Sequence, residues 1–220
     1  MPKHALVVPR TVLFAGKQFQ GFLPLTAHDY VRTILATHTY HPRGDELESN
    51  HALQQIIPYV WIIRPRTGQV FMYRRVPNES DKQSKEFLEQ RYMGKVSGGV
   101  GGHIDKETEQ GQQDPLTAAM MREIREEVTI RGAINAPQFV GYINDDSDEI
   151  GKVHFGLVAL LEVEGDVTIQ EGQGLAEARF YTPAEVDAMF NDAILKVENW
   201  TRLSWPFIKA TLETRHSSNN

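Results

Sequence analysis

The chain has 220 residues and a mass of 25.0 kDa, with 29 acidic against 23 basic side chains and a net charge of -6. That balance excludes a surface built to coat nucleic acid, and the absence of cysteine excludes disulfides, thiolate catalysis and Cys-ligated metal centres. Apolar residues make up 40%, enough for a sizeable core, yet no run approaches the roughly 20 residues of a membrane span. The apolar stretch after Met1 is too short for a signal peptide. A soluble, cytoplasmic protein is expected.

In chain order, Ala5 to Phe14 reads as extended, with Pro9 confining it to a sheet edge or a bulge. Residues 26–38 carry a helical pattern, with Thr26 or Asp29 as its start. The polar stretch from Thr39 to Asn50 reads as a connector, and the spacing of His38, His41 and His51 fits no helical zinc signature. Pro58–Arg64 and Gln69–Val76 are rich in β-branched and aromatic residues around an Arg66-Thr67-Gly68 turn, which predicts a hairpin. Residues 77–92 read as a charged surface excursion. A glycine-rich segment, Ser97 to Ile104, leads through a polar loop to a helix over about 115–128. Strands follow at 137–143, 153–163 and 178–181. Thr182-Pro183-Ala184-Glu185 then supplies an N-cap, a proline at the first helical position and an acid in the first turn. A last helix covers 197–213, before a tail at 217–220 that reads as frayed. This mixture predicts an α+β fold.

The helix at 115–128 carries the chemical argument. Asp114-Pro115 is a strong helix start, and Thr117, Met121, Ile124 and Val128 fall on one stripe expected to be buried. Glu123, Glu126 and Glu127 project together on another arc, near the helix C-terminus, where each acid costs about 0.3–1 kcal/mol. Arg122 and Arg125 relieve part of this, and a solvated face laced with such pairs is the plain reading. A bound divalent cation turns the repulsion into ligation, since carboxylates are the hard donors that Mg²⁺ or Mn²⁺ prefers. The preceding glycines 98, 99, 101 and 102 suit a backbone that approaches something closely.

Together these residues resemble the Nudix box: Gly, five residues, Glu, seven residues, then Arg-Glu-aliphatic-x-Glu-Glu, one residue, Gly and an aliphatic. Gly102 takes the opening glycine, Arg122 to Glu127 the core, and Ile130 the closing aliphatic. There are three departures. Eleven residues separate Gly102 from Asp114, Asp114 stands where the family has Glu, and Thr129 replaces the second glycine. Glu107 or Glu109 in the long loop is available to replace the longer acid, with Asp114 left as a helix cap. The wording Gly-Gly-Val-Gly-Gly-His-Ile and the N-terminal extension look similar to a bacterial subgroup of predicted phosphoesterases.

The resemblance implies an α/β/α sandwich with a mixed sheet. The Nudix domain would span 56–190, with residues 1–55 as an extension of strand and helix packed on the core and 191–220 as a C-terminal helix and tail. It implies hydrolysis of a diphosphate in a nucleoside diphosphate-X or related organic pyrophosphate. Glu123, Glu126, Glu127 and the Gly101 carbonyl would hold Mg²⁺ or Mn²⁺, with Arg122 orienting the glutamates. Glu123, or Glu149 from the acidic 144–149 loop, is the expected general base. Gly102, His103 and Arg74 are the expected substrate contacts; strand alternation lets only one of Arg74 and Arg75 point inward. The partner would be a small diphosphate, with neither membrane nor general nucleic-acid binding. Residues 1–55, 77–95 and 190–216 would set specificity and allow a homodimer. The competing function is a Nudix-fold protein that binds a nucleotide or sugar without cleaving it. A related isomerase activity uses a cysteine in this family and is disfavoured.

Overall fold

The computed structural model describes residues 3–76 and 94–218, so the expected excursion at 77–92 lies outside the described residues. The central strand is β4 (Leu53–Arg64), whose apolar run is buried on both faces. Even-numbered Ile56, Val60 and Ile62 face one core, while odd-numbered Tyr59, Trp61 and Ile63 face the other. Four neighbours share this strand. Its start pairs with β1 (His4–Pro9), its length runs parallel to β10 (His154–Glu162), Val60 and Trp61 meet β7 (Gly99–Val100), and its end turns into β5 (Gln69–Arg75). The path β12–β5–β4–β10–β9–β2 completes a mixed sheet, with β2 (Gly21–Pro24), β9 (Gln138–Asn144) and β12 (Leu175–Tyr181). Short β6 (Val96–Ser97) pairs with β5, and β8 (Val128–Ile130) pairs with β11 (Val167–Ile169) as a separate ribbon.

Helices cover both faces, so the fold is the expected α+β sandwich. One layer is α5 (Pro115–Glu127), joined by α1 (Arg10–Phe14) and α2 (Tyr30–Thr37); α3 (Asp45–Glu48) and α4 (Lys106–Glu109) are single turns. The opposite layer is α6 (Pro183–Asn191) and α7 (Asn199–Ser218), through Val186, Trp205, Ile208 and Leu212. The capping box is formed, with Thr182 and Glu185 bonding each other's backbone.

Three expectations are corrected. Residues 5–14 are not one extended segment: Pro9 ends β1 and serves as the N-cap of α1. The stretch 39–50 is no plain connector, because β3 (Thr39–Pro42) pairs along β1 before α3 begins. Ser217 and Ser218 continue α7 instead of fraying. The N-terminal segment is thus part of the sheet. Its Tyr30 is fully buried among Phe14, Tyr142 and Phe155, ring centroids 5.0–6.1 Å away. Among the described residues no helix is long and apolar enough to cross a membrane.

The start of the glycine run serves close packing. A Cβ on Gly98 would lie 2.3 Å from the indole of Trp61, which is fully buried and held by its bond to Ser204 Oγ at 3.1 Å. The ring has nowhere to move. Gly98→Ala is expected to lower stability by about 1–3 kcal/mol in urea unfolding; an unchanged midpoint would show that the two faces do not meet this tightly.

Candidate functional site

Helix α5 starts where Asp114 Oδ1 accepts the amides of Leu116 and Thr117, both at 3.1 Å, with Pro115 next. Asp114 is therefore a cap, exposed and remote from the chemistry. The buried stripe differs from the one expected. Leu116, Ala119, Met120 and Ile124 face the core, whereas Thr117 and Met121 are half-buried and Val128 already begins β8. This shift of register turns Glu123 and Glu127 to the buried side and leaves Glu126 exposed. No glycine is needed after the helix, because Val128 goes directly into an extended conformation.

Arg122 organises the cluster. Its Nε donates to Glu109 Oε1 at 2.8 Å, Nη1 to Glu123 Oε1 at 2.6 Å and Glu126 Oε2 at 3.0 Å, and Nη2 to the His103 carbonyl at 2.8 Å. Glu109 is the loop acid that comes to the helix. It is buried, and its other oxygen accepts the Asp105 amide at 2.7 Å and Arg122 Nη2 at 3.3 Å. Glu107 turns outward to His4. Gly102 lies against Glu123, where an added Cβ would meet both carboxylate oxygens at 2.8 Å, and Gly101 is pressed against the Pro58 carbonyl.

Glu127 is buried, and its Oε2 has no hydrogen-bond partner among the described residues. Burial pushes its carboxyl up to about 8; Arg75 opposes this, while Glu123, Glu198 and Glu126 add to it. Burial also raises Glu123, against the pull of Arg122. Arg75, not Arg74, is the inward residue of the pair. Phe71 and Tyr73 share the α5 face of β5, and Arg75 Nη2 donates to Tyr73 Oη at 3.1 Å. Arg74 is instead paired to Glu177 at 2.8 Å.

Two of the expected side chains lie outside this cluster. The His103 backbone joins the cluster, but its ring turns away, with Nε2 bonded to Gln55 Oε1 at 2.8 Å and the ring beside His154 at 5.7 Å. Glu149 is exposed and bound to Lys152 and to His51 Nε2, the latter at 3.1 Å. The Lys152 bond lowers its proton affinity, which suits a base poorly. Sequence reading missed Glu198, a buried acid at the start of α7 that accepts from Tyr59 Oη at 2.9 Å and Ser97 Oγ at 2.5 Å. Nothing in its neighbourhood along the chain signals that placement.

An unpartnered buried carboxylate oxygen, two further acids beside it and a glycine backbone against one of them make an all-oxygen donor set. That chemistry fits a hard divalent cation. The NUDIX domain family matches residues 55–201 of this chain. Protein YmaB of Bacillus subtilis is 29% identical over 210 residues, covering 92% of this chain and 95% of YmaB. The crystal structure of Tm1382 shares the fold at a TM-score of 0.73, with 21% identity, over 94% of this chain and 99% of its own. The family match places the chain in a class, the proteins with a Nudix domain. It belongs to the Nudix family.

The raised Glu127 sets a sign for pH. In the metal-free protein the folded state keeps a proton that the unfolded chain releases near 4.5, so this group's contribution to stability falls as pH rises from about 4.5 to 8 and is then constant. Glu127→Gln is expected to be increasingly more stable than wild type between about pH 5 and 8, read from urea midpoints in EDTA. A difference that shrinks as pH rises would show that the carboxyl is not buried as described.

Proposed function

We propose that the protein is a metal-dependent hydrolase that cleaves a diphosphate linkage in a nucleoside diphosphate-X or a related organic pyrophosphate. The observation that carries this reading is that Arg122 holds Glu123 and Glu126 together while Glu127, one residue further on the same helix, keeps a buried Oε2 with no partner among the described residues. Structures do not bury such an oxygen without cost, about 1–3 kcal/mol or more for a charged group.

In this reading Glu123, Glu126, Glu127 and the Gly101 carbonyl hold Mg²⁺ or Mn²⁺. An ion held there would supply charge neutralisation for the diphosphate and activation of a water. Arg122 acts as a positioning residue: it fixes Glu123 and Glu126 relative to the loop through Glu109 and the His103 carbonyl. Glu123 would receive the proton of the attacking water. Gly102 leaves room for the Glu123 carboxylate to lie against the loop, where substrate would also approach. Arg75 takes the part expected of Arg74, an inward cation facing the buried acids.

The test is turnover of a panel of nucleoside diphosphate sugars, dinucleoside polyphosphates, NADH, ADP-ribose and oxidised nucleotides with Mg²⁺ or Mn²⁺. Glu126→Gln and Glu127→Gln are each expected to reduce kcat about 10²–10³-fold while the fold is kept. Retained activity in both would remove the metal assignment, and ligand-induced stabilisation without turnover would favour the binding protein. Glu109→Gln is expected to lose about 10–100-fold, through Arg122, with a weaker apparent Mg²⁺ affinity. An equal loss in Asp114→Asn would show that the capping acid, and not Glu109, supports Arg122.

A further inference from the structure

A second cluster of ligating side chains lies beside the glycine loop and outside the acidic helix. Glu48 ends α3, His103 follows Gly102, and His154 opens β10. Chain register brings them together: His154 pairs with Gln55 on β4, and Gln55 Nε2 donates to Glu48 Oε1 at 3.1 Å. One donor atom from each of the three lies within 4.8 Å of the others, and Glu48 Oε2 is 3.9 Å from His154 Nε2.

We propose that Glu48, His103 and His154 form a second metal site, for a borderline transition ion of the Zn²⁺ type, at the seam between the N-terminal segment and the Nudix sheet. The donor set is two imidazoles and one carboxylate, which suits Zn²⁺ and not Mg²⁺; the box glutamates have the opposite preference. The hydrogen bonds around the rings carry the argument further. His154 Nδ1 lies 2.8 Å from the Ile150 carbonyl, which only accepts, so Nδ1 holds the hydrogen. The nitrogen facing Glu48 is then the lone-pair nitrogen. The Gln55 amide is oriented by its donation to the Glu48 carboxylate, which leaves its oxygen to accept from His103 Nε2 at 2.8 Å. His103 is thereby set with its lone pair on Nδ1. For His154, whose Nε2 faces Glu48, an outer N–H fixed by a carbonyl acceptor is the usual support for a metal ligand.

The surrounding charges permit an ion. Lys3 and Arg43 are near, but Asp105 partners them at 3.1 and 4.0 Å. Tetrahedral ligands at bonds of about 2.0–2.2 Å stand roughly 3.4 Å apart, so the three groups draw inward on binding. A water completes the coordination. The ion ties α3, the end of the glycine loop and the start of β10 into one unit, and so stiffens the backbone that carries the His103 carbonyl to Arg122.

The test uses the full chain, stripped with EDTA and dialysed, then titrated with Zn²⁺ by calorimetry and with Co²⁺ by visible d–d absorption. Wild type and Glu127→Gln are both expected to bind one Zn²⁺ at this site and to give the same intense Co²⁺ spectrum, since the box does not contribute. His154→Gln and Glu48→Gln are expected to weaken Zn²⁺ binding by at least about 100-fold. Saturating Zn²⁺ is expected to raise Tm by about 5–10 °C in wild type and not in Glu48→Gln, a partly buried position where the amide keeps the size of the acid, chosen because His154→Gln risks misfolding. Three results would overturn the proposal: no Zn²⁺ binding by wild type, binding unchanged in Glu48→Gln, or binding lost in Glu127→Gln alone. Because Glu127→Gln keeps this site, a failure to hydrolyse diphosphates leaves the outcome readable.

Discussion

Arg122 is the constraint on which the site depends. It sits one residue before the first of three glutamates and spends its donors on Glu109, Glu123, Glu126 and a loop carbonyl. Bringing carboxylates together at a helix C-terminus is unfavourable twice over, through mutual repulsion and through the helix dipole. Burying them adds several kcal/mol per ion in the absence of compensation. One guanidinium with five planar donors offsets much of this for Glu109, Glu123 and Glu126, which a lysine could not do. It does not reach Glu127. That residue is left to Arg75, which faces it from the α5 side of β5, and its raised proton affinity records how incomplete the compensation is.

The same constraint explains how a longer loop is tolerated. Where the family pattern places an acid separated from the arginine by seven residues, this chain has Asp114, whose short side chain is consumed by two helix amides. The loop's extra residues fold into the single turn α4 and send Glu109 back to Arg122 instead. Position along the chain is therefore a poor guide to this role; reach and burial decide it. A carboxylate that also accepts the Asp105 amide is anchored from both sides, so the loop and the helix move as one piece.

Much of this is legible in the sequence, because it rests on local chemistry. The hairpin of β4 and β5, the capped starts of α5 and α6 and the acidic helix all follow from residue patterns within a dozen positions. What escapes depends on distant partners. The stripe on α5 is misplaced because Leu116, Ala119 and Met120 are shared apolar choices, and only the sheet decides which face wins. Arg74 and Arg75 are equivalent in sequence, and the alternation of Phe71 and Tyr73 separates them once their core is known. Glu198, Glu149 and the ring of His103 lie in segments without periodicity, where orientation follows from tertiary contacts alone.

The N-terminal segment shows what an extension contributes when it is built into a sheet. β1 covers the start of β4 that the domain's own strands leave open, and β3 covers β1 in turn. α1 and α2 add the aromatic cluster around Tyr30 to the same core that receives α5. The backbone of Leu6 donates to Ile104, so β1 also clamps the end of the glycine loop. Gly101 and Gly102 have no side chains with which to fix themselves, and a loop of that composition loses more entropy on ordering than any other. Neighbours must therefore hold it: Pro58 beneath Gly101, Glu123 against Gly102, Arg122 on the His103 carbonyl and β1 on Ile104. The extension is thus part of the apparatus that positions the acidic helix against its loop.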